Sequence, residues 1–576
     1  MNLKAKPFYL NDEDVKWIES TLKEMSLDDK VRQLFVSMAA PVGTETINHI
    51  VDATRPGGLR YMNGPKDNIK RILSDYQKAS KIPLIIAANT DDGGNGAVRE
   101  GTFIGSETKI AATDEEKYAY ELGRVCALES SAVGCNTLFN PIVDINTNYH
   151  NPIIATRTFG NDPKKVAKFS KAFLNGAHSA GVACFCKHFP GDGVDERDQH
   201  LANSVNSLSK EEWDKSFGYV YQQMIDEGVE GIMVGHIMLP AYEKYFKGIK
   251  EGPYTPATLS KELLIDLLRN QLGFNGLTVT DASHMVGLTG RMARQDFVPL
   301  SIQAGCDMFL FYNEFDEDIE FVKDGVKRGI LTLERLDEAV TRILAYKAHL
   351  GLHKEVKDIS LDVIGKDEYK KISDEIAHKG ISLIKEEKGV LPITNKKYKK
   401  ILIIPHNSAN PFNAFIGGSA TKYYDRLKED LEKEGFEVEI HTPVLEQLAK
   451  ASEAEMKEVM GKLYTSKTAI ATLKQKCDLV IQMANIPGNG VVQRLDFALT
   501  KGGLDIPWYV YELPVIFVSV NSPFHLIDVP QVKTYINCYD GNMNTIDALC
   551  NKLIGKESFT GVSPVDAFCG KEDTRW

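Results

Sequence analysis

No stretch of this 576-residue chain approaches the ~20 consecutive apolar residues that a membrane-spanning helix needs. The N-terminus, MNLKAKPFYLNDEDVKWIES, has no apolar run of ~7–15 residues after its lysines, so it does not read as a secretory signal. CxxC spacing is absent from the nine cysteines, an odd number, and with it any zinc or iron–sulfur pattern. Free buried thiols in a reducing cytoplasm are expected instead. Positive charge is in short supply: 68 Lys and Arg stand against 79 Asp and Glu, a net −11. A nucleic-acid binder would need a basic face to neutralise phosphates, so that class is excluded. Neither GxGxxG nor GxxxxGK[ST] occurs, which leaves a nucleotide site without support. There is no tandem repeat and no low-complexity tract. What remains is globular: 43% apolar and 26% charged residues, with enough of the former for a large core.

Along the chain, residues 10–36 read as helical, with Val15, Ile18, Leu22 and Met25 at helical spacing. A rhythm of short apolar runs follows: GGLRYM (57–62), PLIIAA (83–88), TLFNPIVDI (137–145), GVACFC (181–186), GIMVGH (231–236), LTVTD (277–281) and DMFLF (307–311). Helical patterns separate them, among them 114–132 and 163–181. Strands alternating with helices imply parallel pairing through right-handed crossovers. Seven or eight such units predict an N-terminal (β/α)8, TIM-like barrel over 1–355. A charged connecting segment spans 356–394. A second alternation over 395–576, with apolar runs at 400–407, 436–442, 478–486 and 514–523, predicts a three-layer αβα sandwich. In it, GNGVVQ (488–493) reads as a turn into a helix.

The polar residues ending the barrel runs carry the chemical signal. Asp91 and Asp92 follow the second run and Asp144 ends the third. Lys187 and His188 follow the fourth, His236 the fifth and Asp281 the sixth. Barrel active sites sit at the carboxyl ends of the strands, so this pattern reads as a catalytic rim. Any one of these charges taken alone could equally be a solvated loop residue.

Two constellations stand out. KHFPGDGVDERDQH (187–200) is a loop holding two His, one Lys, one Arg and four acids. Asp198 and His200 are one residue apart, and alternate side chains of an extended segment share a face. A carboxylate beside an imidazole fixes its tautomer and raises its basicity, as a general acid/base requires. The second is GFNGLTVTDASHM (273–285), where Asp281 ends a strand. A carboxylate there could attack an electrophilic carbon, or simply cap a helix.

In their order along the chain, FNPIVDINTNYHNP (139–152), RTFGNDP (157–163), KHFPGDG (187–193), DQH (198–200), MVGHIMLPAYE (233–243), the stretch 256–282 ending in TVTDA, and AGCDMFL (304–310) resemble glycoside hydrolase family 3. Within it they look like the bacterial β-N-acetylglucosaminidase branch. ISLIKEEKGVLPI (381–393) and VNSPFHLIDVPQVKTYINCY (520–539) are similar to that family's second domain. The resemblance implies a retaining glycosidase with Asp281 as the nucleophile. It also implies that His200, oriented by Asp198, takes the place of the usual carboxylic acid. Histidine titrates near neutrality, so it can give a proton to the leaving oxygen and later take one from water. Arg157, Lys187 and His188 match the residues that hold the sugar hydroxyls. The acidic position before Gly93–Gly94 falls at Asp91 or Asp92, and Arg99 matches a further binding arginine.

One departure is Asp192, where the branch commonly has His; an acid there is expected to raise the pKa of His200. Should His200 not serve as the acid, Glu196 and Asp195 are the next candidates. The expected activity is exo-acting release of terminal β-linked N-acetylglucosamine from a small glycoside. β-Glucosidase or β-xylosidase activity, phosphorolysis with phosphate in place of water, and a non-catalytic carbohydrate binder are the alternatives. No metal or organic cofactor, nucleic-acid partner or membrane partner is expected, and no surface pattern identifies an oligomeric interface.

Overall fold

The computed structural model describes residues 1–354, 358–407, 422–442, 450–465, 468–486, 494, 495, 497 and 503–576. The chain divides into two compact units. One comprises Met1–Ile104 and Glu116–Ile372, the other Gly105–Glu115 and Ser373–Trp576. GNGVVQ (488–493) and the start of the charged connecting segment, 356–357, lie outside the described residues.

The first unit is built on eight parallel strands, numbered along the chain with a small separate ribbon. They are β1 (Phe35–Met38), β2 (Gly58–Arg60), β3 (Ile85–Ala88), β4 (Thr137–Leu138), β5 (Ala183–Phe189), β7 (Gly231–Val234), β9 (Leu277–Thr280) and β10 (Phe309–Leu310). The ribbon pairs β6 (Ser204–Val205) with β8 (Ile237–Met238). The sheet order is β10-β1-β2-β3-β4-β5-β7-β9, and a parallel bridge from Val279 to Met308 joins its two edges. The result is a nearly closed barrel. Every residue of β3, β5, β7 and β9 is buried, because helices cover the outside while the barrel core fills the inside. That is why these strands read as unbroken apolar runs rather than as an alternation.

The helices follow from the same sequence. Pro163–Ser179 starts where the Asp162 side chain accepts the Lys164 N–H and Pro163 presets the first turn. It buries Val166, Phe169, Phe173 and Leu174, one face of a 3.6-residue period. The N-terminal segment differs from the expected continuous helix over 10–36. Asp12–Glu24 and Leu27–Gln33 are separate helices, and β1 begins at Phe35. Ser26 restarts the chain with a capping box: its hydroxyl accepts the Asp29 N–H, and the Asp29 carboxylate accepts the Ser26 N–H. FVSM follows the second of these helices after a single residue, with no Gly or Pro between, so it merges with the helical pattern.

At the amino end of the barrel, Asp307 is fully buried. It accepts bonds from Arg269 at 2.7 Å, Arg335 at 2.8 Å and Arg342 at 3.5 Å, and from the Thr278 N–H at 3.0 Å. The opposite, carboxyl end carries the polar residues described below.

The second unit holds a six-stranded sheet of β11 (Ser382–Lys385), β12 (Lys400–Asn407), β13 (Glu437–Ile440), β14 (Leu479–Asn485), β15 (Val515–Ser519) and β16 (Thr534–Asn537). Its order is β11-β16-β15-β14-β12-β13, parallel except for the antiparallel edge strand β11. Two apolar clusters form on it, one around Ile403, Leu427 and Ile481 and one around Ile404, Val480 and Phe517. All nine cysteines of the chain are buried free thiols.

Candidate active site

Asp281 follows β9 directly. Its N–H donates to the Val234 carbonyl at 2.8 Å, continuing the β7–β9 ladder by one residue. The side chain is thereby fixed at the carboxyl rim. Asp281 Oδ1 accepts the Ala282 N–H at 2.7 Å, and Oδ2 lies 4.0 Å from His188 Nε2. Burial pushes this carboxyl up, but the imidazoles of His188 and His236, the Ala282 N–H and His200 together outweigh it and hold Asp281 below its ordinary value. The site therefore favours the ionised form of a largely buried carboxylate.

His188 is oriented from behind. The Asp144 carboxylate, wholly buried, lies 2.7 Å from His188 Nδ1 and also accepts the backbone N–H groups of His188 and Asp192 at 3.1 and 2.7 Å. A carboxylate only accepts, so Nδ1 donates and Nε2 faces Asp281. His236, also buried, stands 3.1 Å from Thr258 Oγ1 through Nδ1 and 3.0 Å from the Ala282 carbonyl through Nε2. The carbonyl assigns the proton to Nε2. Burial holds this imidazole below its ordinary value, against the pull of Asp281.

A second group surrounds Asp91, beyond the end of β3. Asn140 Nδ2 donates to its Oδ1 at 2.9 Å, Arg157 Nε to its Oδ2 at 3.0 Å, and Lys187 Nζ lies 3.5 Å away. Burial raises the Asp91 carboxyl, and the charges of Lys187 and Arg157 reverse this and hold it well below the usual carboxylate range. Such a socket of fixed donors and one acceptor suits a polyhydroxylated ligand. Arg99 has no hydrogen bond or ion pair to this group among the described residues; its side chain is exposed and its N–H donates to the Gly64 carbonyl.

The loop after β5 brings in the third element. His200 Nδ1 lies 2.7 Å from Asp198 Oδ1, and the same oxygen accepts the His200 N–H at 2.8 Å. Asp198 is buried while the imidazole is half exposed. The hydrogen bond to Asp198 raises the His200 pKa, helped by the charges of Asp198 and Asp281 and opposed by burial and Arg157. The loop lies on the turn after the β9 carboxylate: Val286 N–H donates to the His200 carbonyl at 3.1 Å and Gly287 N–H to the Gln199 carbonyl at 3.0 Å.

Asp192, expected to raise the His200 pKa, is not among the main groups that do so. It faces Asn151, whose Nδ2 donates at 2.8 Å, and Gln199, whose Nε2 donates at 3.3 Å. Burial and the nearby Asp144 push its own carboxyl up to about 6. The upward shift at His200 comes from Asp198 and Asp281. Of the alternative acids, Asp195 is paired with Arg197 at 2.7 Å and Glu196 is exposed.

Asp91, Arg157 and Lys187 thus share one cluster, and Asp281, His188, His200 and Asp198 another that lies against it through Lys187–His188. Sequence reasoning passed over Asn140, Asn151 and Gln199, which fasten these groups together. A signal existed only for Asp144 and His236, as strand-end residues.

Comparison with known proteins gives the family and the fold. The profile of the Glycosyl hydrolase family 3 N terminal domain matches residues 26–346. A Cellulomonas fimi protein named beta-N-acetylglucosaminidase/beta-glucosidase is 39% identical over 583 aligned residues, covering 100% of both chains. Beta-hexosaminidase A of Pseudoalteromonas piscicida is 28% identical over 57% of this chain and 58% of its own length. Among solved structures, beta-glucoside phosphorylase BglX superimposes with a TM-score of 0.89 at 38% identity, over 100% of this chain and 99% of that one. A beta-N-acetylglucosaminidase from Paenibacillus sp. str. FPU-7, 24% identical, shares the fold with a TM-score of 0.76 over 94% of this chain and 99% of its own. With residues 26–346 matched and a relative 39% identical over the full length of both chains, the chain belongs to glycoside hydrolase family 3.

Proposed function

We propose that the protein is a retaining, exo-acting glycosidase that releases terminal β-linked N-acetylglucosamine from small glycosides. The observation that carries this reading is the Asp198–His200 pair, 2.7 Å apart, on a loop bonded to the turn after Asp281. In the first step an Asp281 oxygen attacks the anomeric carbon. The bond to the leaving oxygen breaks as His200 gives that oxygen its Nε2 proton, leaving a covalent glycosyl–Asp281 ester. In the second step neutral His200 takes a proton from water, the water oxygen bonds to the anomeric carbon, and Asp281 leaves as a carboxylate. The Asp198 carboxylate, bonded to Nδ1, stabilises the imidazolium. Asp91, Arg157, Lys187 and His188 bind the sugar hydroxyls, and Arg99 is assigned to binding with them. The name carried by the Cellulomonas fimi relative supports both N-acetylglucosaminides and β-glucosides as substrates.

Phosphorolysis is the second reading. The likeness to a β-glucoside phosphorylase at 38% identity favours it. So does the chemistry of the base: a neutral imidazole repels an approaching phosphate less than a carboxylate would.

The test is turnover of the 4-nitrophenyl β-N-acetylglucosaminide, β-glucoside and β-xyloside, with and without phosphate, by wild type, Asp281→Ala and His200→Ala. Preference for the N-acetyl sugar with both variants crippled supports the reading. A sugar 1-phosphate among the products establishes the phosphorylase. Full activity of His200→Ala overturns the acid/base assignment.

A further inference from the structure

Gln199 stands between the two dyad residues, yet its surroundings are unlike those of His200. It is 1% exposed, while the His200 side chain is 50% exposed. Both ends of its side-chain amide are engaged: Oε1 accepts the His236 N–H at 2.8 Å and Nε2 donates to Asp192 Oδ2 at 3.3 Å. Its carbonyl accepts the Gly287 N–H at 3.0 Å. One residue is thereby tied to three parts of the rim: the turn after β5, the end of β7 and the turn after Asp281. Two glycines leave it room. A Cβ at Gly287 would come within 2.8 Å of the Gln199 carbonyl oxygen and 3.1 Å of the His236 Cβ. A Cβ at Gly235 would lie 3.3 Å from Gln199 Oε1.

Asp198 fixes the tilt of the His200 ring but sits on the same loop, two residues away. It cannot set the distance of the ring from Asp281. That distance depends on what ties the loop to the barrel, and the buried side chain doing so at this point is Gln199. Backbone bonds from Val286 and Gly287, and Asn203 Nδ2 donating to the Gly287 carbonyl at 2.9 Å, act alongside it.

We infer that Gln199 is a positioning residue that latches the acid/base loop onto the barrel through Asp192 and the His236 N–H, setting the reach of His200 over Asp281. The inference rests on His200 being the acid/base. It also gives Asp192 a purpose: its Oδ1 accepts Asn151 Nδ2 and the Gly193 N–H, which leaves Oδ2 for the latch. A displacement of His200 by about 1 Å is enough to cost roughly 100-fold in rate.

The experiment compares two leaving groups on the preferred sugar. A 2,4-dinitrophenyl glycoside departs without protonation, whereas a disaccharide needs the acid. Gln199→Ala is expected to lower kcat/KM on the disaccharide roughly 10- to 100-fold and to leave the dinitrophenyl glycoside within about twofold. Equal loss on both substrates, or no loss, overturns the inference. A polarity swap supplies the second arm. Gln199→Glu alone sets one carboxylate against another, and Asp192→Asn alone sets two amides against each other. Together they restore the bond with donor and acceptor exchanged, and every other partner is kept. The double variant is expected to recover most of the disaccharide activity that either single variant loses, and its melting temperature checks that it folds. Losses that simply multiply overturn the latch. His200→Ala runs in parallel. If it lacks the leaving-group selectivity, the acid/base assignment itself fails; if it shows the selectivity and Gln199→Ala does not, only the latch fails.

Discussion

Replacing Asp198 by Asn probes the dyad with the least disturbance. Asparagine keeps an oxygen for the His200 N–H, which Asp198 Oδ1 accepts at 2.8 Å, so the local turn survives. What disappears is the negative charge 2.7 Å from Nδ1. A hydrogen bond to a charged partner is worth about 1.5–3 kcal/mol, and about 1.4 kcal/mol is a tenfold change in rate. Turnover of a glycoside with an unactivated leaving group should therefore fall roughly 10- to 150-fold. The pH profile gives the sharper readout. The bond to Asp198 is the main reason His200 titrates above its ordinary value of 6.5. Since the imidazole must be protonated to act as an acid, the basic limb of kcat/KM reports it. With the carboxylate gone, burial and Arg157 pull the pKa down, and the basic limb moves to lower pH. The acidic limb belongs to Asp281, held below its ordinary value chiefly by His188 and His236, and stays where it was. Initial rates across about pH 4 to 9 on an alkyl β-glycoside provide the assay. A basic limb that stays put or moves up refutes the reasoning, as does an equal loss on a dinitrophenyl glycoside.

Other outcomes follow from groups far from the chemistry. Asp307→Ala leaves three buried guanidinium groups facing each other and should cost about 3–5 kcal/mol of barrel stability, seen in denaturant unfolding, with kcat per folded molecule unchanged. Glu230 is buried, which raises its carboxyl, but His178 at 2.8 Å and His349 at 3.6 Å bring it down from 4.5 to about 2. Its contribution to stability is full just above about pH 4.5, where the imidazoles are protonated, and is lost as the pH falls toward about 2. Glu230→Gln should remove that acid-sensitive component from an unfolding series over the same window. Thr102 donates its N–H and hydroxyl to the buried Glu129 at 2.7 and 2.8 Å, and Gly365 N–H donates at 2.8 Å. Glu129→Ala leaves these donors unpaired and should cost about 2–5 kcal/mol, measured by thermal unfolding.

The legible parts of the fold were those with charge or length. Strands such as LTVT before Asp281 announce themselves because parallel strands are apolar on both faces. Asp281, Lys187, His188, Asp198 and His200 stand out because a charge or imidazole at a strand end or in a Gly-rich loop has few structural reasons to be there. Asn140, Asn151 and Gln199 were illegible for the opposite reason: neutral amides read as ordinary turn residues, and only three-dimensional contact shows what they join. β1 was hidden because it follows the helix Leu27–Gln33 after a single residue, with no Gly or Pro to mark the break. Asp192 shows the limit of charge counting along the chain, since its neighbours in space, Asp144 and Asn151, come from a different loop.

The excursion of residues 105–115 into the second unit has a consequence for biosynthesis. Within that unit, Lys109 Nζ reaches Asp540 at 2.6 Å and Ser106 Oγ donates to the Tyr539 carbonyl at 3.0 Å, across 431 and 433 residues of chain. A ribosome adding about 5–20 residues per second makes the later partner roughly 20–90 s after the earlier one. Throughout that interval the segment lacks both partners. A fragment ending at residue 372 would remain in that state permanently. A version shortened to the barrel therefore leaves Ser106 and Lys109 without these partners.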